Sequence, residues 1–378
     1  MRKGKIMKTA GIIVEYNPFH NGHKYHIEQT RELTQCDVLV ACMSGNFVQR
    51  GEPAIIDKWH RARWAIENGV DLVIELPFPF VVQSASQFGE NAVRLLDLAR
   101  VQTIVFGSET NNMEELQEIA SMSFNVDNFK ENLKLGYSYP ASYGYMADSY
   151  GPNDILAISY LKALQNCPHM TALSIKRTSG YHDTDMTVDY PSGLAIRNAL
   201  RNGEDISGST SFYQELKEYP SPSLKELYPH IRMLLLTMSA DELREIFLMS
   251  EGIENHLKKQ AQESETYEEF INRATTKRYT TSRIQRTLCH LLVHNTKTFM
   301  SKLPAMDRLR VLTFNDTGRD YIKKLQEEGV TIVNHFTQQI KPYRDLELKA
   351  AYIYSMLMDQ LSRYQVVRGE ICGQYLKK

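Results

Sequence analysis

Short apolar runs alternate with amphipathic stretches through the first two hundred residues. Gly11-Ile12-Ile13-Val14 is rich in β-branched residues and bounded by turn formers, which predicts a buried strand. Asn17-Pro18 breaks it, because proline cannot donate to a ladder and restricts the residue before it. The pattern turns helical over about 22–34. Residues 37–43 (DVLVACM) predict a second strand, and 44–53 (SGNFVQRGEP) a polar loop with two glycines. Asp57 caps a helix to about Asn68, which Gly69 ends. Further strands are predicted at 71–76, 103–106 and 171–175, with a long helix at about 84–98 and another from Pro152 to about Leu164. Near-continuous apolar strands separated by helices argue an α/β fold, a doubly wound parallel sheet covered on both faces.

From about Gly203 the pattern becomes mostly helical, with amphipathic stretches at 223–237, 240–248, 267–274 and 346–364. A small strand-helix-strand insert is predicted over 310–314, the helix after Gly318, and 331–333. Two domains are therefore expected, at 7–202 and 203–378, which suits 378 residues.

Composition changes the picture little. Hydrophobic residues make up 42%, enough for a core, and the formal net charge of −1 leaves no global basic field. Any nucleic-acid surface must be a local patch. The five cysteines show no CxxC pairing, which predicts neither a zinc site nor a disulfide framework and fits a reducing cytoplasm. No signal peptide is evident and no apolar run is long enough to span a bilayer, so no membrane partner is expected. Residues 1–6 (MRKGKI) read as an extension ahead of a start at Met7.

Candidate chemistry concentrates at the first strand-to-helix junction. His20-Asn21-Gly22-His23 sits where a helix presents free N–H groups and the positive end of its dipole, an anion site. A histidine there also serves as an ordinary cap, and the spacing also suits half a metal site. Position favours a nucleotide, since such sites lie at the strands' C-terminal ends. Gly107-Ser108-Glu109 reads either as a plain turn or as a backbone approach for a base or ribose. Pro152-Asn153-Asp154 reads either as a helix start or as a ligand contact. Lys176-Arg177 is followed by Tyr181-His182-Asp183. Farther on, Ser192 caps a helix with Arg197 one turn inside, which groups a hydroxyl, N–H groups and a guanidinium about one anion.

These residues resemble a known family. HNGH resembles the HxGH signature of the nucleotidyltransferase superfamily, and 192–197 its S-x-x-x-I-R element. VEYNPFHNGH, MSGNFVQRGEPA, VDLVIELP, FGSE, PND, IKR and S-x-x-AIR occur in the order seen in bacterial tRNA(Met) cytidine acetate ligases. The resemblance is weaker through RYTTSRIQRTLCHLL. Ser192-Gly193-Leu194 departs from the hydroxyl-rich run common in the superfamily, which favours backbone N–H groups over side chains there.

The resemblance implies a nucleotidyltransferase-like (HUP-type) domain and a helical tRNA-binding domain. It implies that ATP activates acetate as acetyl-adenylate, and that the acetyl group passes to N4 of the wobble cytidine of elongator tRNA(Met). Ile13-Val14-Glu15-Tyr16-Asn17-Pro18-Phe19-His20-Asn21-Gly22-His23-Lys24-Tyr25-His26 would line the ATP site. Gly107, Asn153, Arg177 and Ser192 would complete it, while His20, His23 and Arg197 would hold phosphates. Mg2+ is expected on the triphosphate, without a dedicated protein cage. Phe19 and Met43 are candidates for the wall around the acetate methyl group; both also read as core.

In the second half, 270–306 contains no acidic residue yet carries Arg273, Lys277, Arg278, Arg283 and Arg286, a candidate phosphate-backbone track. Tyr279 reads either as a base-stacking ring or as core. Two other functions fit the same motifs: a cofactor-pathway adenylyltransferase acting on a small phosphorylated acceptor, and a non-catalytic RNA-binding protein with a vestigial nucleotide site.

Overall fold

The computed structural model of the chain describes residues 7–122, 150–177 and 184–373. In the first half, strands β1 (Thr9–Val14), β2 (Val38–Ser44), β5 (Leu72–Leu76), β6 (Thr103–Ser108) and β7 (Thr171–Lys176) alternate with helices. These are α1 (Asn21–Thr34), α2 (Lys58–Glu67), the short α3 (Phe78–Val81), α4 (Ala85–Leu98), α5 (Met113–Ser121) and α6 (Pro152–Leu164). The expected polar loop at 44–53 is instead a small antiparallel hairpin, β3 (Phe47–Val48) and β4 (Glu52–Pro53). Its chain reverses at Gly51, whose φ of +84° is one that glycine adopts without strain.

Helices α7 (Gly193–Arg201), α8 (Tyr213–Glu218), α9 (Leu224–Thr237), α10 (Ala240–Glu245), α11 (Ile253–Glu263), α12 (Tyr267–Ala274), α13 (Thr281–Leu292) and α14 (Lys297–Ser301) follow. Then come β8 (Arg308–Phe314), α15 (Asp316–Glu327), β9 (Thr331–Val333), α16 (Lys341–Ser355) and α17 (Gln360–Cys372). The single helix expected at 346–364 is two helices. Asp359 restarts the chain by accepting from the N–H groups of Leu361 (2.9 Å) and Ser362 (3.1 Å), an N-cap inside an otherwise continuous pattern.

The main sheet has seven strands in the order β7-β6-β1-β2-β5-β8-β9. It is parallel from β7 to β5, and β8 joins β5 antiparallel. The expected strand-helix-strand insert is thus an extension of the main sheet, which runs across the boundary drawn at 202/203 from the change of pattern. One apolar cluster lies on each face. Strand order reverses between β1 and β6, the switch point where ligands bind at the strands' carboxyl ends.

Candidate active site

Three contacts fix the exit of β1. Arg61, fully buried, donates from Nη1 to Glu15 O (2.6 Å) and from Nε to Ile56 O (3.0 Å). Asn17 Oδ1 accepts from Ile55 N (2.8 Å). Asn17 O accepts from Arg197 Nη1 (2.6 Å). Tyr16 between them has φ +51°, an uncommon conformation for a non-glycine residue that such pinning sustains.

The two motif histidines form the cap of α1 themselves. His20 Nδ1 accepts from Gly22 N (3.1 Å), and His23 Nδ1 accepts from His20 N (3.3 Å). Each neutral ring therefore carries its proton on Nε2. Burial, Arg177 and Arg197 lower the His20 pKa to about 3. Burial, His20, Arg177 and His26 hold His23 well below its ordinary value. Burial and Arg177 lower His26 to about 4, against a backbone hydrogen bond at Val105. At neutral pH all three rings are uncharged, and His20 and His23 present Nε2–H donors beside two guanidiniums, an environment suited to a polyanion.

The start of α7 converges on the same space. Ser192 Oγ accepts from Ala195 N (3.0 Å), so the hydroxyl serves as the cap. A Cβ at Gly193 would lie 3.3 Å from Arg197 Nη1 and 3.9 Å from His20 Nε2. Helix start, guanidinium and imidazole thus sit side by side. Arg197 is 9% exposed, and its Nε is buried with no partner among the described residues. Across the switch point the Arg177 side chain covers Gly107, where a Cβ would lie 3.2 Å from Arg177 Cγ. Glu109 accepts from Asn153 Nδ2 (2.5 Å) and Asp154 N (2.9 Å). Asp154 accepts in turn from Ser108 Oγ (2.5 Å) and Glu109 N (3.0 Å), which locks the start of α6 to the end of β6.

These pieces line one cleft of about 430 Å3. It brings together Ile13, Val14, Glu15, Tyr16, Asn17, His20, Gly22, His23, Tyr25, His26, Gly107, Asn153, Arg177, Ser192 and Arg197. Pro18, Phe19, Asn21 and Lys24 lie outside it. Phe19 is 2% exposed and packs on Tyr16, His23 and Phe212, with centroids 4.8, 5.8 and 5.8 Å away. Met43 is fully buried in the sheet's core. Neither walls the cleft; its apolar side comes from Phe88, Phe106 and Tyr160. Tyr181-His182-Asp183 lies outside the described residues.

Gln49 and Arg50, at the hairpin tip, were missed from sequence, as were Ser84 and Phe88. The Arg-Gly pair at the tip was the available signal. Glu15 is half-buried near Arg61, Arg197 and Arg50; desolvation raises its pKa, and Gln49 N donates to it (2.6 Å). No group of three His, Cys, Asp or Glu side chains among the described residues is arranged to hold a metal. No helix among them is long and apolar enough to cross a membrane.

The acid-free stretch of the second half meets acids from elsewhere. Arg273 pairs with Glu263 (3.1 Å), Arg283 with Glu251 (2.9 Å), and Arg278 approaches Glu251 at 3.8 Å. Lys277 is exposed. Tyr279 is 7% exposed, donates to Glu251 O (2.6 Å) and lies under Arg278 and Arg283, so it is core. Arg286 points the other way, into the cleft, together with Ser282.

The HIGH Nucleotidyl Transferase family matches residues 7–368. A tRNA(Met) cytidine acetate ligase of Staphylococcus aureus (strain JH9) is 36% identical over 371 residues, covering 94% of this chain and 96% of that protein. The crystal structure of apo Thermotoga maritima TmcAL superposes with a TM-score of 0.84 at 31% identity, covering 94% of this chain and 96% of the other. The same protein bound with alpha-thio ATP superposes with a TM-score of 0.83, at the same identity and coverage.

Proposed function

The chain belongs to the HIGH nucleotidyltransferases and, within them, to the tRNA(Met) cytidine acetate ligases, and from that premise we propose the following reaction. An acetate oxygen attacks the α-phosphorus of ATP and expels pyrophosphate, giving acetyl-adenylate. N4 of the wobble cytidine of elongator tRNA(Met) then attacks the acetyl carbon. The C–N bond forms as the acyl C–O bond breaks, AMP leaves with that electron pair, and the N4 proton passes to its phosphate or to water.

The observation that carries this reading is the convergence of His20, His23, Arg197 and the start of α7 at the head of one cleft. The first step needs no strong general base, because the carboxylate is already the nucleophile. It needs positioning and stabilisation of charge on phosphate oxygens. Neutral Nε2–H groups, the free N–H groups of Gly193 and Leu194, and the Arg197 and Arg177 guanidiniums supply both. Mg2+, if bound, would ride on the triphosphate and water rather than on a protein cage, and would supply further charge neutralisation there. The exposed Arg273, Lys277 and Arg278 track the RNA backbone, with the shielded Arg283 behind them, and a tRNA substrate fits an enzyme that works in the cytoplasm.

Mass spectrometry of tRNA(Met) incubated with ATP and labelled acetate is the decisive test. Label at the wobble base is expected. Pyrophosphate release with a small phosphorylated acceptor and unlabelled tRNA would replace this reading with an adenylyltransferase. tRNA binding without ATP turnover would leave a non-catalytic RNA-binding protein.

A further inference from the structure

The cleft holds two cationic centres. The Arg177 charge weighs on His20, His23 and His26, and that of Arg197 on His20. Those that weigh on Arg286 are Arg50 and Arg283. The Glu15 carboxylate lies between, within reach of both Arg197 and Arg50. The first centre fits the triphosphate; in the second, Arg283 is held by Glu251 (2.9 Å), and Arg286 is the member without an ion pair among the described residues.

Arg286 is the anomaly. It is 8% exposed, lines the cleft, and makes no hydrogen bond or ion pair among the described residues. Its guanidinium nitrogens are not among the sealed, partnerless atoms, so the largely desolvated charge faces the cleft and is open to an anion that enters there. The first turn of α13 points to the same space. Thr280 caps Arg283 N (3.4 Å), while Ser282 of that turn lines the cleft one helical turn before Arg286. The opposite wall is rigid. The hairpin tip bearing Arg50 is fastened to α13 by Gln285 Nε2 to Glu52 Oε1 (2.8 Å) and Cys289 Sγ to Gly51 O (3.1 Å).

We propose that Arg286, with Arg50 and the first turn of α13, holds the phosphodiester flanking the acceptor cytidine and so positions its N4 at the acyl group, an inference that rests on the tRNA-acetylating reading above. The acceptor nucleotide must enter this cleft to reach the acyl carbon, and it brings its own phosphate. Arg286 also lies on α13 one turn in from the shielded Arg283, and the exposed Arg278 precedes both, which favours RNA over free acetate as the source of the anion. Burial with Arg50 and Arg283 lowers the Arg286 pKa only to about 10, so the group stays charged at neutral pH.

The test compares two reactions in wild type, Arg286→Met and Arg50→Gln. One is acetate-dependent ATP–pyrophosphate exchange. The other is single-turnover transfer from preformed acetyl-adenylate to an anticodon stem-loop. Loss of a charge-assisted hydrogen bond is expected to lower transfer about 10- to 100-fold more than exchange. The Tm of Arg286→Met should hold or rise, because an uncompensated charge is gone. A neutral methylphosphonate at one phosphate flanking the cytidine should slow wild type by the same factor and the variant no further, the signature of a shared interaction. A rise in the exchange KM for acetate or ATP matching the transfer loss would overturn the proposal, as the anion would then be a small substrate. A fall in Tm with both reactions lost would make Arg286 structural. Wild-type transfer indifferent to methylphosphonate at both flanks would also overturn it. Wild-type exchange without any transfer would instead sink the functional reading beneath.

Discussion

The two histidines are the residues to which we assign phosphate donation, and their placement combines what the sequence announces with what it hides. Their place after a strand was readable from pattern alone. Their mutual capping was not, because it depends on ring orientation at Nδ1. Phe19 shows the opposite case. Adjacent in sequence to the motif, it points away from the cleft and into the core, a direction set by the turned-back backbone at Tyr16 rather than by spacing. His20→Asn separates capping from donation, since Asn is a strong N-cap residue but lacks the Nε2 donor. Exchange should fall by about two to three orders of magnitude, as for other lost transition-state donors. Near-normal exchange would remove His20 from the mechanism. The same variant tests linkage. The folded pKa of about 3 lies below the unfolded value near 6.5, so the unfolded chain binds more protons between them. Wild-type stability should therefore decline as pH falls from 6.5, and urea midpoints of His20→Asn should decline less steeply.

At the scale of elements, the hairpin β3–β4 and helix α13 form one joint. Sequence showed both segments, the first as a polar loop and the second as a basic run. Neither reading contained the other, because the contacts join residues more than two hundred positions apart. His290 Nε2 to Val82 O (2.9 Å) and Asn295 Nδ2 to His290 Nδ1 (3.0 Å) fix α13 further against α3. Gly51 is the tightest point. A Cβ there would lie 2.3 Å from Arg286 N and 2.5 Å from Gln285 C, both backbone atoms that cannot swing aside. Gly51→Ala therefore combines a strained positive φ with overpacking, about 2–5 kcal/mol together. Urea unfolding should show that loss, and acetyl transfer should fall with it as the hairpin leaves α13. An unchanged midpoint would mean the joint has slack.

Across the whole molecule, the main sheet crosses the division at 202/203, and the two sides are expected to fold as one unit. The cause is a buried ion cluster that no sequence window contains. Lys58 of α2, fully buried, pairs with Glu75 of β5 (2.5 Å) and with Glu370 of α17. Arg310 of β8 pairs with Glu75 (2.5 Å) and Glu370 (2.8 Å). Glu347 of α16 accepts from Phe78 N (2.5 Å), its pKa pushed up to about 8 by burial and by Glu75. Four of these five residues are 0–4% exposed, and Arg310 is largely shielded by them. Removing everything after residue 202 would strand Lys58 and Glu75 in an apolar interior without their other partners. Breaking a buried pair costs about 3–5 kcal/mol, and whole domains are stable by only about 5–15. The cut would also strip β8 from β5, leaving the edge of an apolar strand open to self-association. The fragment 7–202 is therefore expected to aggregate or to lack a cooperative urea transition, even though it holds every motif proposed to hold the triphosphate. Lys58→Met in the full chain should lose stability by a similar 3–5 kcal/mol, since three carboxylates would then share one arginine. A soluble fragment 7–202 with a sharp transition and acetate-dependent ATP–pyrophosphate exchange would refute this, and would show that the C-terminal half is an appended module rather than part of the catalytic sheet.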